Sequence, residues 1–239
     1  QNINFVNSKF FYLDQNDDVI FLADIKKMNY LYSEKFLNEI KSKLKIFNLP
    51  ISLEAKHELL NKKIISKIDF KSLKLNINNQ MFFDENELNG QLDFNILKKN
   101  KRINYIFRDK ELIFNSNDKK IIGAISIKPF FLSSILNLRK IEVKKFLKND
   151  SVITNLIKSE ILNNKNLNGK IGISADNLND LKYVDAINFE IQFEEGMILI
   201  NNLNFIFKDS VIVNLDEVNL IVEENKLKLF GDITLDFKD

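Results

Sequence analysis

The chain has 239 residues, 45% hydrophobic and 28% charged, with 35 Lys+Arg against 33 Asp+Glu and a net charge of +2. That is enough apolar chain to build a core, and the small net charge excludes a disordered polyelectrolyte. Six Gly, two Pro and no Cys exclude collagen-like and disulfide-stapled chains, and the near-neutral balance argues against a dedicated nucleic-acid binder.

Asn, Ile, Lys and Phe, which have AT-rich codons, are abundant, so the skew reads as genome base composition. The chain opens on Gln1 and ends at Asp239 inside a strand-like pattern, which reads as a mature chain or a piece of a longer one. No run approaches the roughly 18 apolar residues of a membrane helix. The best is Val19–Ala23, and no signal peptide is visible, so any anchor or export signal is expected outside this chain.

In chain order, a short helical turn fits Ser33–Asn38. Alternation with period two follows, placing every second side chain on one face of a strand. Ile51, Leu53 and Ala55 begin it after Leu49-Pro50, and Asn61-Lys62-Lys63 reads as a hairpin turn between Glu54–Leu60 and Ile64–Phe70. Ile68 and Phe70 keep one phase while Leu73, Leu75 and Ile77 keep the other, which predicts a bulge or new strand near Lys71-Ser72. Leu92, Phe94 and Ile96, then Lys98–Arg102, then Ile103, Tyr105 and Phe107 make a second hairpin signal. Gly123, Ile125 and Ile127 mark a strand before Pro129.

One stretch changes period. Val152, Ile153, Leu156, Ile157, Ile161 and Leu162 recur at three- and four-residue steps, predicting an amphipathic helix near 151–163 with Asp150 or Ser151 as cap. Beyond it, Ile187 to Phe193, Ile198 and Ile200, Leu203 to Phe207, Val211 to Leu215, Val218 to Val222 and Leu227 to Phe237 alternate again. Short strands at close spacing with polar turns between them predict an antiparallel meander. With Gly so rare, Asn is expected to take many turn positions. The expected organisation is one continuous mainly β segment: 1–138 β-rich, 139–164 a helical insert, and 165–239 the meander.

Enzyme chemistry finds no support. His57 is the only histidine and sits where a strand runs into a turn. Gly172–Asp176 lacks the second glycine of a nucleophile elbow. Asp14–Asp18 has calcium-loop oxygens, but Val19 replaces the turn Gly and Ile25 the bidentate Glu. The carboxylate pairs Asp84-Glu85, Glu194-Glu195, Asp216-Glu217 and Glu223-Glu224 lie at strand ends, without the cleft that glycosidase chemistry needs. No phosphate loop, cofactor motif or metal-ligand spacing is present, so cofactor and metal are both read as none. The cluster Lys98, Lys99, Lys101 and Arg102 is a solvated hairpin tip or, as a functional reading, a contact for anionic phospholipid headgroups.

Strands apolar on one face and polar on the other suit a closed sandwich or barrel, or an open sheet curled into a trough. Asn168–Ser174 and Glu194–Phe207, with closing phrases such as Lys228–Leu235, resemble the AsmA-like family of Gram-negative envelope proteins, which includes the YhdP and TamB types. The likeness is best over about 165–239 and extends back loosely through Ile46–Lys56 and Asn89–Phe94. It implies an elongated, twisted antiparallel β-sheet curled into an open groove. It also implies a non-enzymatic, periplasmic role in outer-membrane biogenesis, with phospholipid as partner, no nucleic acid, and inner-membrane anchoring by a segment not in this chain.

The lining expected for such a groove begins with Phe94, Phe107, Ile127 and Ile173. It continues with Phe189, Ile191, Phe193, Phe205 and Phe207, then Val211 and Val213, and ends with Leu227, Leu229, Ile233 and Leu235. The other class of function is a structural or adhesive β-domain, sandwich or solenoid, in which those residues are closed core. A third fit is an outer-membrane barrel, disfavoured by the predicted helix and the lack of aromatic girdles.

Overall fold

A computed structural model describes residues 1–13, 17, 19–84, 87–96, 99–127, 129–140, 164–178, 181–208, 210–223 and 226–237. The chain is mainly β, as its alternation requires. The strands are β1 (Asn2–Leu13), β2 (Val19–Leu31), β3 (Leu37–Ile46), β4 (Leu49–Glu58), β5 (Lys63–Phe70), β6 (Leu75–Phe83), β7 (Leu88–Ile96) and β8 (Lys99–Arg108). They continue with β9 (Glu111–Ser116), β10 (Ile121–Ile127), β11 (Phe130–Leu138), β12 (Asn168–Ala175), β13 (Val184–Glu194), β14 (Met197–Phe207), β15 (Val211–Glu223) and β16 (Lys226–Phe237). Strand order in the sheet follows chain order. The chain divides into two units, the first 1–119 with 125–129 and the second 120–124 with 130–239.

In the first unit β1 to β9 pair antiparallel, each with the next. Two-residue turns close its tightest hairpins. Phe47-Asn48 and Asp109-Lys110 both have positive φ throughout, the geometry whose twist matches paired strands. The phase change predicted near Lys71-Ser72 is a 3-10 turn at Lys71–Leu73, with Lys74 left-handed at φ 51° and Leu73 buried.

The second unit departs from the antiparallel expectation at one place, because β11 and β12 are parallel. Parallel neighbours need a long crossover rather than a tight turn, and 139–167 supplies that length. The helix expected at 151–163 falls outside the described residues. From β12 to β16 the pairing is the expected antiparallel meander.

Two local expectations are corrected. Ser33–Asn38 is not a helical turn but a bend leading into β3. The Asn38 Oδ1 accepts from the Ser33 N–H at 2.8 Å and the Ser33 Oγ from the Phe36 N–H at 3.3 Å, so side chains satisfy the backbone that a helix would have paired. Asn does not dominate the left-handed turn positions either. Lys62, Lys74, Lys110, Lys119 and Lys208 hold positive φ alongside Asn7, Asn48 and Asn202.

Candidate functional site

Residues directly opposite on paired strands share a face, so ladder registers give the composition of each face. In the second unit one row reads Leu138, Ala175, Ile187, Phe205, Val213, Leu235 across β11 to β16, omitting only β10 and the first unit's strands. Beside it run Leu136, Ile173 and Phe189, then Ile171, Ile191, Ile200 and Val218. Further rows pair Phe193 with Ile198, Phe207 with Val211, and Leu203 with Leu215 and Ile233. Every expected lining residue from Ile173 to Leu235 with a described side chain lies on this one face. The backbone positions of Leu227 and Leu229 pair with Val222 and Leu220, and their side chains fall outside the described ones.

The face stays whole although its strands are kinked. Asn202 is an extra residue in β14 at φ 54°, and the β15–β16 register shifts between Asp216 and Asn219. Each bulge moves the alternation by one place, which restores the apolar phase at Leu203 and Val218. Burial is concentrated in two clusters. Ala175 and Leu178 gather Leu138, Ile173, Val184 and Ile187, while Val213, Leu215 and Val218 gather Ile200, Leu203, Phe205 and Val211. Of the expected lining, Phe193 and Val213 are buried, Phe189, Ile191 and Phe205 are half-buried, and Ile233 and Leu235 on the last strand are 64% and 51% exposed.

The first unit has a comparable face with a different chemistry. One row reads Met28, Ser42, Leu53, Ile68, Ile77, Phe94, Lys101 from β2 to β8. The next reads Tyr30, Ile40, Ala55, Ser66, Asn79, Leu92, Ile103, Ser116. Phe94 and Phe107 are half-buried members of this face, and Ile127 is half-buried at the end of β10, its N–H donated to the Lys110 carbonyl at 3.0 Å. His57 shares the face, tilted against Phe83 with ring centroids 5.4 Å apart.

Tyr105 is the one large polar group buried on this face among the described residues, at 6% exposure. Its ring lies across Gly90 of the neighbouring strand, where an added Cβ would fall about 2.0 Å from the ring, and its hydroxyl donates to the Asn79 Oδ1 at 2.7 Å. Burial pushes the Tyr105 hydroxyl above the ordinary tyrosine range, and the Asn79 contact partly offsets that.

Two of the cluster's basic residues, Lys101 and Arg102, are paired with carboxylates. Arg102 is bidentate to Asp93 at 2.6 and 2.9 Å, and Lys101 reaches Asp118 at 2.9 Å. The Arg102 guanidinium holds the Asp93 carboxyl below its usual range. Lys101 and Arg102 are strand residues that project to opposite faces, while Lys98 and the Lys99 side chain fall outside the described residues.

Sequence reasoning missed the contribution of β11 to the apolar face and most of the first unit's rows. The signal was there as alternation, but a slip hid it in β1 and β2. Ile3 and Phe5 share a face with Ser8, Phe10 and Tyr12 because the alternation slips by one place at Asn7, which has φ 50°. Opposite it, the β2–β3 register shifts between Ile25 and Lys27. Among the described residues no group of three or more acidic or histidine side chains is arranged to hold a metal ion, and no helix is long and apolar enough to cross a membrane. Compared with known proteins, the chain matches no family model and no curated protein.

Proposed function

We propose that this chain is a non-enzymatic, periplasm-facing segment of an AsmA-like envelope protein, whose apolar β-faces form a groove along which phospholipid moves between the inner and outer membranes. The observation that carries the reading is the register of β11 to β16, which collects apolar side chains from six strands on one face and leaves many of them half-buried. A closed sandwich would bury such inward residues far more completely. Removing an acyl chain from water is worth about 0.8 kcal/mol for each CH2, so a half-covered apolar face is a favourable surface for lipid tails.

Movement also needs the absence of a strong anchor. In the second unit the face carries almost no polar group, Ser134 being the described exception, and its hydroxyl is already donated to the Ile122 carbonyl at 3.0 Å. Lipid held by area alone slides, because each step exchanges one apolar contact for another. Membrane anchoring would come from a segment not in this chain.

The test is lipid mass spectrometry on the chain purified from an envelope-competent host, beside Phe189→Asp and Phe205→Asp. Stoichiometric phospholipid in the parent, lost in either variant with the fold retained, supports the groove. A lipid-free parent, or unfolding of both variants, favours a structural β-domain with a closed core.

A further inference from the structure

The polar face of the first unit contains a hollow of about 630 Å³ in which five lysines converge: Lys9, Lys26, Lys43, Lys45 and Lys71. They come from β1, β2, β3 and the 3-10 turn, so no stretch of sequence announces them together. Asp24 is the only carboxylate among the described lining residues, 3.9 Å from Lys9 and directly opposite Lys45 on the β2–β3 ladder. The other four lysines have no carboxylate within ion-pair distance among the described residues.

One row through the hollow, Lys9, Asp24 and Lys45, alternates in sign, so the excess of positive charge lies in the other three lysines. One row away, Lys41, Glu54 and Lys67 alternate in sign across three strands, and Glu39 is bracketed by Lys41 at 3.1 Å and Lys56 at 3.7 Å. At the hollow, Lys27 lies directly opposite Lys43, a like-charge pair that destabilises a ladder. The hollow sits at Asn7, which has φ 50°, and at Lys26, an extra residue of β2 against β3, and such bulges re-aim side chains. Lysine ammonium groups are compact point charges that bind phosphate, and together they give the hollow a concentrated positive charge. Ser52 adds a hydroxyl donor, and Pro50 gives the wall an apolar patch.

We propose that this hollow binds a multivalent phosphate-bearing anion. It lies on the face opposite the apolar rows and does not depend on what those rows carry. Two sources share the chemistry, a free oligophosphate and an anionic phospholipid headgroup.

The full chain at low salt is titrated calorimetrically with sodium tripolyphosphate and, separately, co-sedimented with vesicles of cardiolipin in phosphatidylcholine. Lys26→Gln/Lys43→Gln is compared with Lys41→Gln/Lys56→Gln, which removes the same charge beside Glu39, and Lys45→Gln/Lys71→Gln serves as a second test of the hollow. The expected result is saturable binding weakened at least about tenfold by either hollow variant and less than about twofold by the control. Tripolyphosphate binding without vesicle binding assigns a free phosphate, and vesicle binding lost in the hollow variants assigns a headgroup. Absence of saturable binding to both probes, or equal weakening in the control, overturns the proposal.

Discussion

The two units use the same alternation to different ends. In the second, the face is nearly all aliphatic and aromatic, and both clusters of buried residues lie there. In the first, Ser42, Ser66, Asn79, Tyr105 and Ser116 interrupt the apolar rows. Several are satisfied locally: Ser42 donates to the Lys27 carbonyl at 3.3 Å, Tyr105 to Asn79, and Ser116 to Asp118 at 2.6 Å. The difference teaches that period two specifies a two-faced strand but not how its inner face coheres. One unit coheres through area, the other through area and fixed hydrogen bonds.

The second unit is the more easily disrupted, at its parallel pair. A Cβ on Gly169 would sit 2.5 Å from the Leu132 carbonyl oxygen, which is backbone and cannot swing away. Gly169→Ala should cost about 3 kcal/mol by urea unfolding, because the parallel β11–β12 pair must separate. Gly172→Ala, on the same strand, meets nothing closer than 3.9 Å and should be neutral or slightly stabilising, by about 0.5 kcal/mol. Equal losses at both would show that β-propensity, not close approach, governs this pairing.

Val218 is fully buried at 0% exposure, the centre of its cluster. Val218→Ala should cost about 2 kcal/mol, with lost hydrogen-exchange protection concentrated in β14 to β16. Equal loss of protection in β3 to β8 would contradict separate cohesion of the units.

The first unit's hydrogen-bonded device should give smaller effects. Gly90→Ala displaces the Tyr105 ring and should cost about 1.5 kcal/mol, and Tyr105→Phe, which removes only the hydroxyl, about 1 kcal/mol. Because folding raises the Tyr105 pKa, the folded state holds that proton more tightly. The associated stability is present below the ordinary value, about pH 10, and is lost as pH rises through the raised value. Tyr105→Phe should flatten that alkaline decline; an unchanged pH profile would remove Tyr105 from the account.

The smallest effect belongs to the exposed Arg102–Asp93 pair. The lowered Asp93 pKa means its contribution is present above about pH 4 and disappears as pH falls through the lowered value. Asp93→Asn should change the unfolding midpoint little, and raising the salt should erase the difference. A large, salt-resistant loss would mean that this hairpin depends on its ion pair rather than its ladder.

Much of the architecture was legible in the residues themselves. Ile187 to Phe193 and Val211 to Leu215 announced half-buried strands, and Lys71-Ser72 a phase break, because each depends on side chains a few places apart. Strand parity likewise determined which residues could share a face. The parallel pairing of β11 and β12 was not legible, since strand direction depends on the path of a distant connection. Nor was the phase slip at Asn7 and Lys26, because an inserted residue leaves composition unchanged and shows only against its partner strand. The lysine hollow and the neutralisation of Arg102 by Asp93 have the same origin. Charge acts through space over a few ångströms, so tertiary register alone decided which of this chain's many lysines stand beside a carboxylate and which stand beside one another.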